Sequence, residues 1–171
     1  MEHNIRKIRE DELSVLEDFL YEAIFIPEGV EPPPRSIIEL PELQLYIRGF
    51  GAEKDDICFV AEVGNKIVGA VWVRDMNDYG HIADGVPSFA ISLYKEYRGF
   101  GIGTDLMTTM LNELKDRGYT RASLAVQKAN YAVNLYKKVG FRIVGENDEE
   151  YIMEYRSNDS ISASSSKKDH R

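Results

Sequence analysis

Apolar positions recur along this chain in two periods. Leu13, Leu16, Phe19, Leu20, Ala23 and Ile24 keep a helical spacing after Asp11, an acidic residue suited to a helix start. A short strand is predicted ahead of them, from Asn4 to Arg9. The stretch "IPEGVEPPPRS" breaks the helix, because consecutive prolines remove backbone donors and force extended conformations. A second helix is predicted from Pro41 to Phe50, with Leu43, Tyr46, Ile47 and Phe50 on one face. Two β-rich runs, "DICFVAEV" and "KIVGAVWVRD", joined by "GNK", read as a hairpin whose Trp72 faces the core. After the loop "MNDYGHIADGVPS", "SFAISLY" alternates Phe89, Ile91 and Leu93 with smaller or polar residues and reads as a strand. Leu106, Met107, Met110, Leu111 and Leu114 return to the helical period, with Gly118 placed as a terminator. "RASLAV" then reads as a strand, "YAVNLYKKV" as a short helix ended by Gly140, and "FRIVGEN" and "EYIMEYR" as two closing strands. The order βααβββαβαββ gives about seven strands and four helices, a mixed α/β or α+β domain on one central sheet. No internal repeat and no linker divides it.

With 171 residues and 43% hydrophobic content, the chain suits one packed domain. It is expected to span residues 1–156, because "SNDSISASSSKKDHR" is serine-rich and aperiodic, so residues 157–171 are predicted to be a disordered tail. A net charge of -8 argues against nucleic-acid binding, which needs a basic face. The single cysteine, Cys58, lies in an apolar run, which excludes an internal disulfide and a cysteine-based metal cluster and points to core packing. No bound metal is expected. The polar start "MEHNIRKIRED" and the lack of any run of about 20 apolar residues predict a soluble, cytoplasmic protein without a membrane partner.

The chemistry concentrates in "YRGFGIGTDLM", residues 97–107, where Gly99, Gly101 and Gly103 directly precede a helix. Each glycine in regular structure costs about 0.5–1 kcal/mol relative to alanine, so three together suggest that the backbone approaches something closely. A strand, a glycine-rich turn and a helix N-terminus form an anion-binding arrangement. A dinucleotide fingerprint would need glycine where Thr104 stands, and a P-loop would need a lysine that does not follow Gly103, so a nucleotide-binding regulator is disfavoured.

"LYKEYRGFGIGTDLM" resembles the acetyl-CoA-binding motif of the GNAT family of N-acetyltransferases, which Arg98, Gly101 and Gly103 match. "NYAVNLYKKVGF", residues 130–141, is similar to the family's second signature, and the element order agrees over about residues 4–156. The resemblance implies a GNAT-like fold in which the strand before the glycine loop splays from its neighbour at a bulge. Backbone at Ile91 and Leu93 would bind the pantetheine arm of acetyl-CoA, the co-substrate. Amides from Gly99 to Thr104 would hold the pyrophosphate, with Arg98 as an added partner. Asn130 lies five residues before Leu135, where many members have six, so both a cofactor contact and a simple helix cap stay open for it. Acetyl transfer from a thioester requires a neutral amine, a stabilised oxyanion and a proton for the departing thiolate. A strand amide near Leu93 would supply the second, and Tyr136 matches the tyrosine used as general acid. The base stays open among Asp84, His81, Glu28, Glu31 and ordered water, because "GVPSFAI" carries no carboxylate where members often have one. The implied activity is acetyl transfer to an amine of a small molecule or peptide, with a homodimer possible. The alternative is a noncatalytic acyl-CoA-binding or sensing module on the same fold.

Overall fold

The computed structural model describes residues 1–157, in which seven strands build one mixed sheet in the order β1-β2-β3-β4-β5-β7-β6. β1 (Asn4–Lys7), β2 (Ile57–Val63), β3 (Lys66–Arg74) and β4 (Ser88–Leu93) form one antiparallel run. β5 (Arg121–Gln127), β7 (Glu150–Arg156) and β6 (Arg142–Glu146) form another. The halves meet where β4 and β5 run parallel. This is the seven-strand, four-helix architecture that the periodicity predicts.

Period-two alternation sends side chains to two separate cores. α3 (Ile102–Asp116) and α4 (Ala132–Lys138) cover the face carrying Phe59, Val71, Phe89, Leu124 and Met153. α1 (Val15–Glu22) covers the opposite face with Leu16, Phe19 and Leu20, against Cys58, Val60, Ala70 and Trp72. Trp72 is fully buried, and burial pushes the Cys58 thiol well above its ordinary range, which leaves it inert. No described helix is long and apolar enough to cross a membrane.

Two helices are shorter than the periodicity predicts. Glu10–Glu12 form a single 3₁₀ turn before α1, because Glu12 accepts the Arg9 backbone N–H at 2.8 Å while its carboxylate also pairs with Arg6 at 2.7 Å. α2 stops at Pro41–Gln44 instead of reaching Phe50. The carbonyls of Leu45, Tyr46 and Arg48 turn outward to accept from Arg74 and Trp72 on β3, which competes with a continuing helix. Arg74 also forms a two-pronged pair with Asp56, at 3.0 and 3.1 Å. The Asp56 side chain is only 1% exposed. Of the serine-rich tail, Ser157 is buried and donates its N–H to Thr120 O at 2.9 Å; residues 158–171 lie outside the described residues.

Asp56→Ala should lower stability by about 2 kcal/mol in denaturant unfolding, because it removes the carboxylate that pairs with the part-buried Arg74 and accepts from the Gly51 and Glu53 amides. A pH effect is expected from Glu12, whose carboxyl is held down at about 2 by hydrogen bonds from Arg6 and the Arg9 amide. A depressed folded pKa means that this stabilisation is complete above the unfolded value near 4.5 and is lost as pH falls towards 2. Glu12→Gln should flatten the melting temperature in that window and lower it at neutral pH.

Candidate active site

β4 and β5 are in register at one pair alone, Ser88 with Ser123, reinforced by the Ser123 N–H donating to Pro87 O at 3.0 Å. Beyond it they diverge, leaving a cleft with Ile91 and Leu93 on one side and the end of β5 on the other. β4 keeps an unbroken register with β3, so the parting occurs without the bulge in β4 that the resemblance implies; the register shifts fall at Val68 of β3, in its pairing with β2, and at Val144 of β6. Each strand can part because its other edge is fully paired, β4 to β3 and β5 to β7.

The mouth of the cleft is the glycine loop. A 3₁₀ turn at Lys95–Tyr97 follows β4, Arg98 is extended, and Gly99 and Gly101 take φ of 84° and 83°. Gly101 then caps α3, whose first helical bond is Asp105 N–H to Gly101 O. None of the six amides from Gly99 to Thr104 meets an acceptor among the described residues, so they converge unpaired at the positive end of a 15-residue helix. Gly103 is under no such constraint: it lies inside the helix, and a Cβ there would make ordinary contacts, 3.4 Å from the Leu135 side chain and 3.5 Å from Leu93. Leu93 itself occupies space left by Gly69, where a Cβ would sit 2.3 Å from it. Arg98 does not reach over the loop; its Nε donates to Leu93 O at 3.1 Å and its Nη2 lies 3.8 Å from Glu22 on α1.

α4 closes the other wall. The Asn130 side-chain oxygen accepts the Ala132 N–H at 2.9 Å, so Asn130 caps the start of α4. Tyr136 is buried on the α3 side of the sheet beside Phe141, and burial pushes its phenol up to about 12. It is therefore a neutral hydrogen-bond donor throughout the physiological range, and its hydroxyl has no partner among the described residues.

The carboxylates and histidine considered as a base are scattered. Asp84 is fully exposed and lies 3.3 Å from His81 Nε2, while Glu28 and Glu31 stand exposed in the proline-rich loop. The structure adds a residue that sequence reading missed. Asp78 accepts from Tyr46 Oη and from Ser88 Oγ, both at 2.9 Å, at the closed end of the cleft. Two residues on, Gly80 lies against β5; a Cβ there would be 2.9 Å from Ala125 N. Neither Asp78 nor the half-buried Glu150 has a cationic partner among the described residues. Burial, then Glu149 and Asp78, raise the Glu150 carboxyl. Burial and the Asp78 charge likewise push the Tyr46 phenol up. A lone acid ten residues before its partner strand carries no periodicity, and the only local signal at Asp78 is the turn-forming glycine after it.

The family model described as acetyltransferase (GNAT) family matches residues 19–141. Among curated proteins, the chain is 35% identical over 92 residues to the probable N-acetyltransferase camello of Xenopus tropicalis, covering 52% of this chain and 40% of that protein. It is 31% identical over 109 residues to N-acetyltransferase 8 of Mus musculus, covering 63% and 45%. The chain thus matches less than half the length of these relatives. Its fold is similar to the PaiA N-acetyltransferase of Thermoplasma acidophilum solved with coenzyme A, at TM-score 0.69 and 22% identity over 92% of this chain and all of that one. It is also similar to the ribosomal-protein-S18-alanine N-acetyltransferase of Escherichia coli, at TM-score 0.63 and 16% identity over 91% and 94%.

The different reasons for the glycines are testable by stability. Gly101→Ala should cost about 1 kcal/mol in thermal unfolding, because an L side chain is strained at positive φ even where space is open. Gly103→Ala should be neutral or slightly stabilising, since its Cβ makes ordinary contacts and alanine favours the helix.

Proposed function

The chain belongs to the acetyltransferase (GNAT) family, and on that premise we propose that residues 1–156 form a domain transferring an acetyl group from acetyl-CoA to an amine of a small molecule or peptide. The observation that carries this reading is the pairing of a parted β4/β5 junction with six unpaired amides at its mouth. Free strand edges at Ile91 and Leu93 suit an extended arm carrying amides, and the amides of Gly99, Gly101, Gly103 and Thr104 with their neighbours suit a pyrophosphate. When bound, acetyl-CoA supplies the activated acyl thioester.

The residues divide the remaining work. The start of α3 rests beside Leu93 and Leu135, which keeps the amide cluster at the end of the cleft. Arg98, held through Nε to Leu93 O, can add its terminal guanidinium N–H groups to the phosphates beside the amides. Asn130 acts through its cap, fixing the entry of α4 and hence Tyr136, rather than by direct contact. Tyr136 donates a proton or hydrogen bond to the departing thiolate. Its raised pKa suits a buried leaving group, because the burial that holds the phenol neutral also raises the basicity of a thiolate formed beside it.

Release of free thiol from acetyl-CoA across a panel of amines tests this function. Amine-dependent release that falls about 10- to 1,000-fold in Tyr136→Phe is the expected result. Acetyl-CoA binding without release for any amine would instead favour a sensing module. By calorimetry, Gly101→Val should weaken acetyl-CoA binding by roughly tenfold, because a branched side chain at positive φ displaces the loop amides that face the anion.

A further inference from the structure

Segments with little regular structure meet at the closed end of the cleft. The 45–50 turn after α2 and the 75–87 loop both depend on side chains to fix their backbones. Trp72 Nε1 donates to Tyr46 O at 3.1 Å, which holds the main chain at Tyr46 and frees its side chain to point towards the loop. Tyr46 Oη then meets Asp78 Oδ2, Asp78 Oδ1 meets Ser88 Oγ, and Ser88 lies 3.5 Å from Ser123 Oγ across the single register pair that joins β4 to β5. The loop cannot slide away from this junction, because Gly80 packs on the β5 backbone where any side chain would collide.

We propose that Asp78 is a positioning residue for the acceptor: its carboxylate bridges Tyr46 and Ser88, tying the 45–50 and 75–87 segments to the closed end of the β4/β5 cleft. This rests on the acetyl-transfer reading of the cleft. The two hydroxyls donate to different oxygens of one carboxylate, so the bridge fixes both segments relative to β4 in distance and in angle. The nearest alternative role, proton acceptor, would depend on the negative charge. The bridge depends only on hydrogen-bonding geometry, and an asparagine preserves that: its oxygen accepts from one hydroxyl and its amide donates to the other once that hydroxyl rotates.

The test compares Asp78→Asn, Asp78→Ala and Tyr46→Phe in the purified chain. Asp78→Ala is expected to lower kcat/KM for the amine by roughly 10- to 100-fold, mostly through KM, while the acetyl-CoA Kd measured by calorimetry stays unchanged. Tyr46→Phe should lose part of that, and Asp78→Asn should stay close to wild type with an unaltered pH profile. Equal, large kcat losses in Asp78→Asn and Asp78→Ala with a shifted pH profile would overturn positioning and make the carboxylate a proton acceptor. Amide hydrogen exchange reads the bridge without turnover: Asp78→Ala should speed exchange in both 45–50 and 75–87. If wild type acetylates no amine, the functional reading fails and the exchange arm decides the bridge alone. Unchanged exchange in both segments would overturn it.

Discussion

Where β4 and β5 share a single residue pair, the backbone groups beyond it lose the partners that a parallel ladder would give them. That deficit is confined to one side of each strand, since β3 and β7 satisfy the other. It is also placed beside a second deficit, the six unpaired amides between Gly99 and Thr104 at the start of α3. One cleft thus holds both an extended edge with free backbone groups and a cluster of amide donors at a helix N-terminus. The two hydrophobic cores matter because they hold the parted strands rigidly: α3 and α4 brace one face and α1 the other.

Packing keeps the cleft open by means of small residues. Gly69 on β3 makes room for Leu93, and Leu93 lies against the position of Gly103 at the start of α3. The sequence of contacts runs from the sheet through a strand end into the helix N-terminus, so the position of the amide cluster is set by side-chain volume as well as by loop conformation. Gly99 and Gly101 have open space around them and serve only the positive φ that turns the chain into the helix. The 45–50 and 75–87 segments add polar ties to the apolar packing of Ile47, Phe50, Met76 and Val86: a Trp72–Tyr46 bond, the Arg74–Asp56 pair and the Asp78 bridge.

Period and punctuation made much of this legible. The alternation of Phe89, Ile91 and Leu93, the helical run from Leu106 to Leu114 and the terminator Gly118 identify the elements that carry the cofactor side, because those signals arise from neighbours a few residues apart. The glycine loop was legible for the same reason. The second helix ends at Gln44, short of the predicted Phe50, because Trp72 and Arg74, more than twenty residues downstream, claim the carbonyls that would have continued it.

The amino-acid sequence alone determined the element order and the family motifs around Gly101 and Tyr136, all of which depend on local spacing. Tertiary structure alone decided three things. It assigned Asn130 to an Ala132 cap, it tied Arg98 to Leu93 and Glu22, and it brought Asp78 between Tyr46 and Ser88. Each of the last two depends on a partner brought close by the fold, with Tyr46 standing 32 residues before Asp78. The Asn130 cap is local, but it depends on the backbone geometry that brings the Ala132 N–H to its side-chain oxygen. No periodicity encodes such meetings, because they are fixed by where the sheet and its covering segments come to rest.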